Sequence, residues 1–160
     1  MRTDVPIQVD PNQLIIYPGY TFCPTDEDVL HYLKQKAYGI PVLIDFILDQ
    51  NVYEVPPWQL RRDVLYPVGE DQSIYYYSLV KRSGVTYSRL KRTVGDHGHW
   101  HMNGKRTDIF DDQGNVIGYK TALKFHQADG SSKGLPSEWL MTEFRLNYDN
   151  DGDSCKSQGL

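Results

Sequence analysis

Apolar and polar side chains alternate most cleanly in VIGYKTALKFH, residues 116–126. Ile117, Tyr119, Thr121, Leu123 and Phe125 fall on one face, and Lys120, Lys124 and His126 on the other. A period of two is the mark of a strand with one buried face. The same texture recurs in IYYYSLVKR, TYSRLKRTV and SEWLMTEFRL, with DDQGN (Asp111 to Asn115) as a turn signal before the cleanest strand. Earlier in the chain the period lengthens. In PTDEDVLHYLKQKAYG, Val29, Leu30, Leu33 and Ala37 share a helical face. Thr25 is the expected N-cap, with Asp28 three residues on as the second half of a capping box. Asp26 and Glu27 favour the positive end of the helix dipole, and Gly39 and Pro41 stop the helix. A second, shorter helical segment is expected around PPWQLRRD, with Pro57 at its start. The pattern predicts one antiparallel sheet with helices on its N-terminal side and one basic face left wet. Residues 147–160, polar and acidic, read as a disordered tail.

Composition narrows this only slightly. The 160 residues suit one domain with a core of its own. There is no run of 18 apolar residues and no apolar leader, so a membrane span and a signal peptide are not expected. The two cysteines, Cys23 and Cys155, form no CxxC pair, so neither a disulfide framework nor a cysteine zinc site is expected.

Charge distribution changes the picture more. Net charge is −4, but residues 1–60 hold 3 basic and 8 acidic side chains, residues 61–106 hold 9 and 4, and residues 107–160 hold 5 and 9. A basic middle between acidic flanks fits a face for an anionic partner, and equally a strand edge blunted by lysine and arginine.

That middle contains HGHWHMNGKR, with His97, His99 and His101 at every second position. On a strand these would share a face and offer imidazoles to a metal, with His126 or Asp96 as a further ligand. Same-face neighbours on one strand stand about 6.6–7 Å apart, which suits two ligands and is awkward for three. No HExxH or CxxC accompanies them, and no metal or other cofactor is expected. An enzyme is not expected either, since GxSxG and a lysine-bearing phosphate loop are both missing. The alternative is a strand that meets DNA, with Lys81, Arg82, Arg89, Lys91, Arg92, Lys105 and Arg106 around Trp100 and Asn103. Arginine and lysine neutralise phosphates, and asparagine can pair with an adenine edge. Taken singly, Trp100 is more often a core residue and Lys91 a solvated one.

Six blocks in order then carry a resemblance. YPGYTFCPTDEDVLHYLKQKAYG, NVYEVPPWQL, YYYSLVKR, GHWHMNGK, NVIGYKTALKFH and SEWLMTEFRL resemble successive motifs of the plant NAC domain, from about Tyr17 to Leu146. The resemblance implies an α+β, mainly β fold, a twisted antiparallel sheet packed between a few short helices. It implies an N-terminal arm (1–13), a DNA-binding domain (14–146) and the tail (147–160). It further implies a nuclear transcription factor that binds double-stranded DNA at CACG or CGTG cores through a strand in the major groove. The partners implied are DNA and a second NAC-domain chain, as homodimer or heterodimer, with no membrane.

By position, the resemblance assigns DNA contact to Arg89, Lys91, Arg92, Trp100, His101, Met102, Asn103, Lys105, Arg106, Lys120, Lys124 and Lys133. It assigns the dimer interface to Leu14, Ile15, Ile16, Tyr17, Thr21 and Asp28. The departures are informative. The family's WKATG lysine, alanine and threonine are His101, Met102 and Asn103 here, and its basic KAPKGxK loop is thinned to GSSKGLP. A lysine is always charged, whereas a histidine of ordinary pKa is mostly neutral above about pH 6.5. One extra residue lies between RLKR and Trp100. Thr21 and Asp28 stand where an arginine and a glutamate would pair between chains, so a weaker or differently partnered dimer is expected. These departures also leave open a domain that has lost DNA binding and regulates other NAC factors by heterodimerising with them.

Overall fold

The computed structural model describes residues 21–42, 46–64, 73–83, 89–147 and 158–159. The expected N-terminal arm, the stretch Leu14, Ile15, Ile16 and Tyr17, Cys155 and most of the acidic tail lie outside the described residues.

Helix α1 spans Asp26–Ala37. Its start is the capping box expected from the sequence: Asp28 N donates to Thr25 Oγ1 at 3.1 Å, and Thr25 N donates to Asp28 Oδ2 at 2.9 Å. These bonds satisfy donors that a helix start otherwise leaves to water. They also hold the Asp28 carboxyl below the usual aspartate range, through the backbone and then the hydroxyl of Thr25. Val29, Leu30 and Leu33 are buried on one face. The segment around Pro57 is a single turn of 3₁₀ helix, Pro57–Gln59, shorter than the expected helix. Leu60 after it is already extended, which ends the turn.

The strands are β1 (Leu48–Asp49), β2 (Tyr76–Leu79), β3 (Lys81–Ser83), β4 (Arg89–Lys91), β5 (Thr93–Val94), β6 (Gly98–Met102), β7 (Thr107–Phe110), β8 (Val116–Gln127), β9 (Leu135–Leu146) and β10 (Gln158–Gly159). The main sheet is antiparallel and built on β8. One edge of β8 is shared, with β7 on its first half and β6 on its second, and the other edge pairs with β9 along nearly its whole length. β5 extends the sheet beyond β6. A small second sheet runs β1-β2-β10, in which β1 and β2 pair in parallel, and β3 and β4 form a hairpin.

Two apolar clusters clamp this sheet from opposite faces. On one face α1 delivers Val29, Leu30 and Leu33 onto Ile109 and Phe144, with Phe22, Phe46, Ile47 and Tyr77 completing the cluster. Contact is close because Gly118 on β8 has no side chain: a Cβ there would sit 2.6 Å from Leu30 Cδ1 and 2.5 Å from Arg145 O. On the other face Trp100, Leu123 and Phe125 pack with Val52, Tyr53, Val80 and Val94. The alternation seen in β8 is therefore real, but both of its faces are used. Its odd-numbered residues 121, 123 and 125 enter one core. Its even-numbered residues lie under α1 at one end and are open at the other.

Candidate nucleic-acid interface

β6 is where the two faces part. Trp100 points inward, is 4% exposed, meets Phe125 edge-on at 5.2 Å between ring centroids, and its indole N–H reaches Val52 O at 3.4 Å. Trp100, one of the residues assigned to contact by resemblance, is a core residue that seats the strand. Its neighbours His99 and His101 take the opposite face by alternation. Just before them Gly98 allows β6 to lie against β8, since a Cβ there would stand 2.1 Å from His126 O. Its φ of 148° also suits glycine.

Beyond Trp100 the chain emerges into solvent. His101, Met102, Asn103, Lys105 and Arg106 are all exposed, with Met102 44% exposed. Asn103 N donates to Ala122 O at 2.8 Å, so the backbone of the tip is anchored while its side chain stays out. The Arg106 guanidinium lies over the Tyr119 ring, 4.1 Å from its centroid.

The remaining expected cations divide by surroundings. Lys124 stands directly across β8 from His101. Lys133 is exposed in the turn before β9, and its carbonyl meets His126 Nδ1 at 3.0 Å. Lys120 pairs with Asp26 of α1 at 2.5 Å, part-buried. Lys91 is exposed and lies opposite Lys81 in the β3–β4 hairpin. Both line a cleft of about 430 Å³ that also takes in Asn51 and Glu54. Arg89 is placed on β4 by its backbone.

Arg92 has a partner inside the fold. Its guanidinium forms a two-pronged pair with Glu143, Nε at 3.0 Å and Nη2 at 2.8 Å. Glu143 is 1% exposed and also takes the Tyr53 hydroxyl and, at 3.5 Å, Arg145 Nε. The hydrogen bonds to Glu143 raise Arg92 above the usual arginine value, while burial and then the Glu143 charge push the Tyr53 hydroxyl well up. Arg92 thus neutralises a buried carboxylate from β9, and its backbone O accepts from Trp100 N at 2.9 Å.

At the expected dimer residues, Thr21 is exposed with Cys23 Sγ 3.6 Å from its hydroxyl, and Asp28 is engaged in its own helix cap.

The histidine row is rearranged. His97 leaves the strand in the turn before β6, where its ring meets Trp58 edge-on at 6.0 Å. In its place His126 comes across the sheet, directly opposite His99. Ring centroids are 5.4 Å apart for His99–His126, 4.7 Å for His101–His126 and 6.1 Å for His99–His101. Among the described residues no three His, Cys, Asp or Glu side chains stand so as to hold a metal ion. The cross-strand member was legible in principle, since His126 ends the cleanest alternation, but its register against His99 was not.

Fold and surface together define a mainly β domain with a polar, cation-bearing strand tip projecting from a doubly clamped sheet. Over residues 17–146 the chain matches the family model described as No apical meristem (NAM) protein, and it belongs to that family as a NAC-domain protein. It is 32% identical over 138 residues to NAC domain-containing protein 101 of Arabidopsis thaliana, covering 86% of this chain and 39% of that one. With NAC transcription factor 25 of the same plant it shares 31% over 153 residues, 95% of this chain and 46% of that one. With NAC domain-containing protein 48 of Oryza sativa subsp. japonica it shares 35% over 144 residues, 89% and 45%. The chain spans less than half the length of these relatives.

Proposed function

We propose that this is the DNA-binding domain of a nuclear transcription factor, reading CACG or CGTG cores with the β6 tip in a major groove. The observation that carries the reading is the tip itself, in which His101, Met102, Asn103, Lys105 and Arg106 are exposed together on a NAC-family sheet. Asn103 suits an adenine edge, and Lys105 and Arg106 suit phosphates on either side of the groove. Lys124 and Lys133 add to the phosphate contacts, Arg89 and Lys91 to the approach, and Lys120 only after giving up Asp26. Arg92 and Trp100 support the strand from behind and make no contact.

Two chains would share a site with two cores. With Thr21 in place of a charged partner and Asp28 occupied by Thr25, pairing rests on Leu14, Ile15, Ile16 and Tyr17 and is weak. A gel shift on one-core and two-core duplexes tests both points. The expected result is a first complex on either duplex and a second, only mildly cooperative one on the two-core duplex. No shift on either, at low salt and with an unrelated duplex as control, ends the DNA-reading proposal.

A second reading is favoured by one observation, the replacement of the groove lysine by exposed His101 beside bulky Met102. It makes the domain a regulator that occupies other NAC chains without binding DNA well. Adding a relative that keeps the lysine separates the two: loss of that relative's shifted band without a new one supports the regulator.

A further inference from the structure

We propose that His99, His101 and His126, together with Lys124, form one phosphate-binding patch that takes up protons as a nucleic-acid backbone docks. The inference rests on the DNA-binding reading and adds to it two residues, His99 and His126, and a coupling to pH. Its basis is geometric. His99 and His101 lie two apart on β6, and across the pair on β8 stand His126 and Lys124 respectively. The three rings lie within 6.1 Å of one another, centroid to centroid.

The residues paired directly with this cluster along the ladder carry no negative charge. β5 places Thr93 opposite His99, and β9 places Pro136 opposite His126 and Leu140 opposite Lys124. Among the described residues none of the three imidazoles makes an ion pair with a carboxylate. Three acidic residues lie close by, and Glu138, between Pro136 and Leu140, is the one beside the ladder. Asp96 is in the turn before β6, Glu138 is on β9, and Asp129 is in the turn after β8, its carboxylate accepting from Ser131 N and Oγ at 2.9 and 2.6 Å. Lys133 presents its carbonyl, not a negative charge, to His126.

That carbonyl fixes the chemistry. A carbonyl oxygen only accepts, so His126 carries its hydrogen on Nδ1 and keeps Nε2 as the site where a proton adds. An added proton turns Nε2 into a charged donor, the kind that suits a phosphate oxygen. Burial, then His126 and His101, already hold His99 below the usual histidine value. A depressed histidine pKa stabilises the fold fully above the ordinary value of about 6.5, and that contribution is lost as pH falls through the lowered value. A polyanion on this face reverses the balance: it stabilises the charged rings, so its binding draws protons in and strengthens as pH falls. A single histidine, His101 alone, takes up at most one proton; the cluster takes up more than one.

The test measures affinity for a labelled CACG-core duplex and, in parallel, for inorganic polyphosphate, at constant ionic strength from pH 5.5 to 8 with a chelator present. Expected for the intact chain is a slope of log affinity against pH steeper than about −1 near pH 6, amounting to roughly ten- to a hundredfold tighter binding at pH 5.5 than at pH 7. His99→Gln and His126→Gln should each flatten the slope, so that the tightening between pH 8 and pH 5.5 shrinks in both. Histidine C2–H NMR titration of the intact chain, with and without polyphosphate, needs no variant, and more than one pKa should rise on binding. A pH-independent affinity, a slope unchanged in both variants, or no pKa rise overturns the proposal. Absence of duplex binding with pH-linked polyphosphate binding intact overturns the DNA reading and leaves the patch standing.

Discussion

Arg92 and Arg106 belong to the same basic segment and meet opposite fates. Arg92 turns inward and is matched by Glu143, a carboxylate with 1% exposure, while Arg106 stays in solvent, laid over Tyr119. Counting charge along the segment treats them alike. What separates them is whether the fold supplies a partner before any ligand arrives. Lys120 stands between the two cases, tied to Asp26 but only part-buried.

The sharpest way to break the comparison is Arg92→Ala. It strands the Glu143 carboxylate and should cost about 3–5 kcal/mol of stability, read in a urea titration. A cost below about 1 kcal/mol, with DNA affinity falling in a fully folded variant, would make Arg92 a contact after all. Next comes the paired change Lys105→Ala and Arg106→Ala. Stability should move by no more than about 1 kcal/mol, most of it from the lost ring contact. The slope of log affinity against log salt should become shallower by about 1.8, at roughly 0.9 per phosphate contact. An unchanged slope would mean that the tip does not meet phosphates. The smallest effect is expected for Lys120→Ala, under about 1 kcal/mol and vanishing in high salt, as for other exposed pairs. A larger, salt-resistant loss would move Lys120 into the class of Arg92.

What the sequence made legible was local. The capping box at Thr25 and Asp28 and the buried Val29, Leu30 and Leu33 of α1 follow from neighbours within a few positions and are found as expected, whereas the two-residue period of β8 holds over Thr121, Leu123 and Phe125 while Ile117 packs with the α1 cluster. The 3₁₀ turn at Pro57–Gln59 was overread as a longer helix because a proline start is common to both. The parallel pairing of β1 and β2 carries no local signature at all. Two of the assigned site residues have inside partners that the sequence does not show. Arg92 and Trp100 sit in a basic stretch and resemble contacts until their partners, Glu143 on β9 and Val52 before the 3₁₀ turn, are brought against them by the fold. His126 was noted as a possible companion of the histidine row, but only the β6–β8 register makes it the neighbour of His99 while His97 drops out. The family resemblance named a strand. It did not say which side chains on that strand still have their charge to spend.

The alternation of β6 has a consequence for how this surface can change. Because inward Trp100 separates outward His99 and His101, gaining or losing one residue inside the strand would invert it, driving imidazoles into the core and the indole into water. Gly98, with no room for a Cβ against His126 O, marks the point at which the strand is held. Length variation ahead of β6, including the extra residue between RLKR and Trp100, must therefore be absorbed by the turn at Gly95–His97. The outward residues can be exchanged one for another while the strand beneath them keeps its phase. The chemistry of the tip is free to drift, and its address is not.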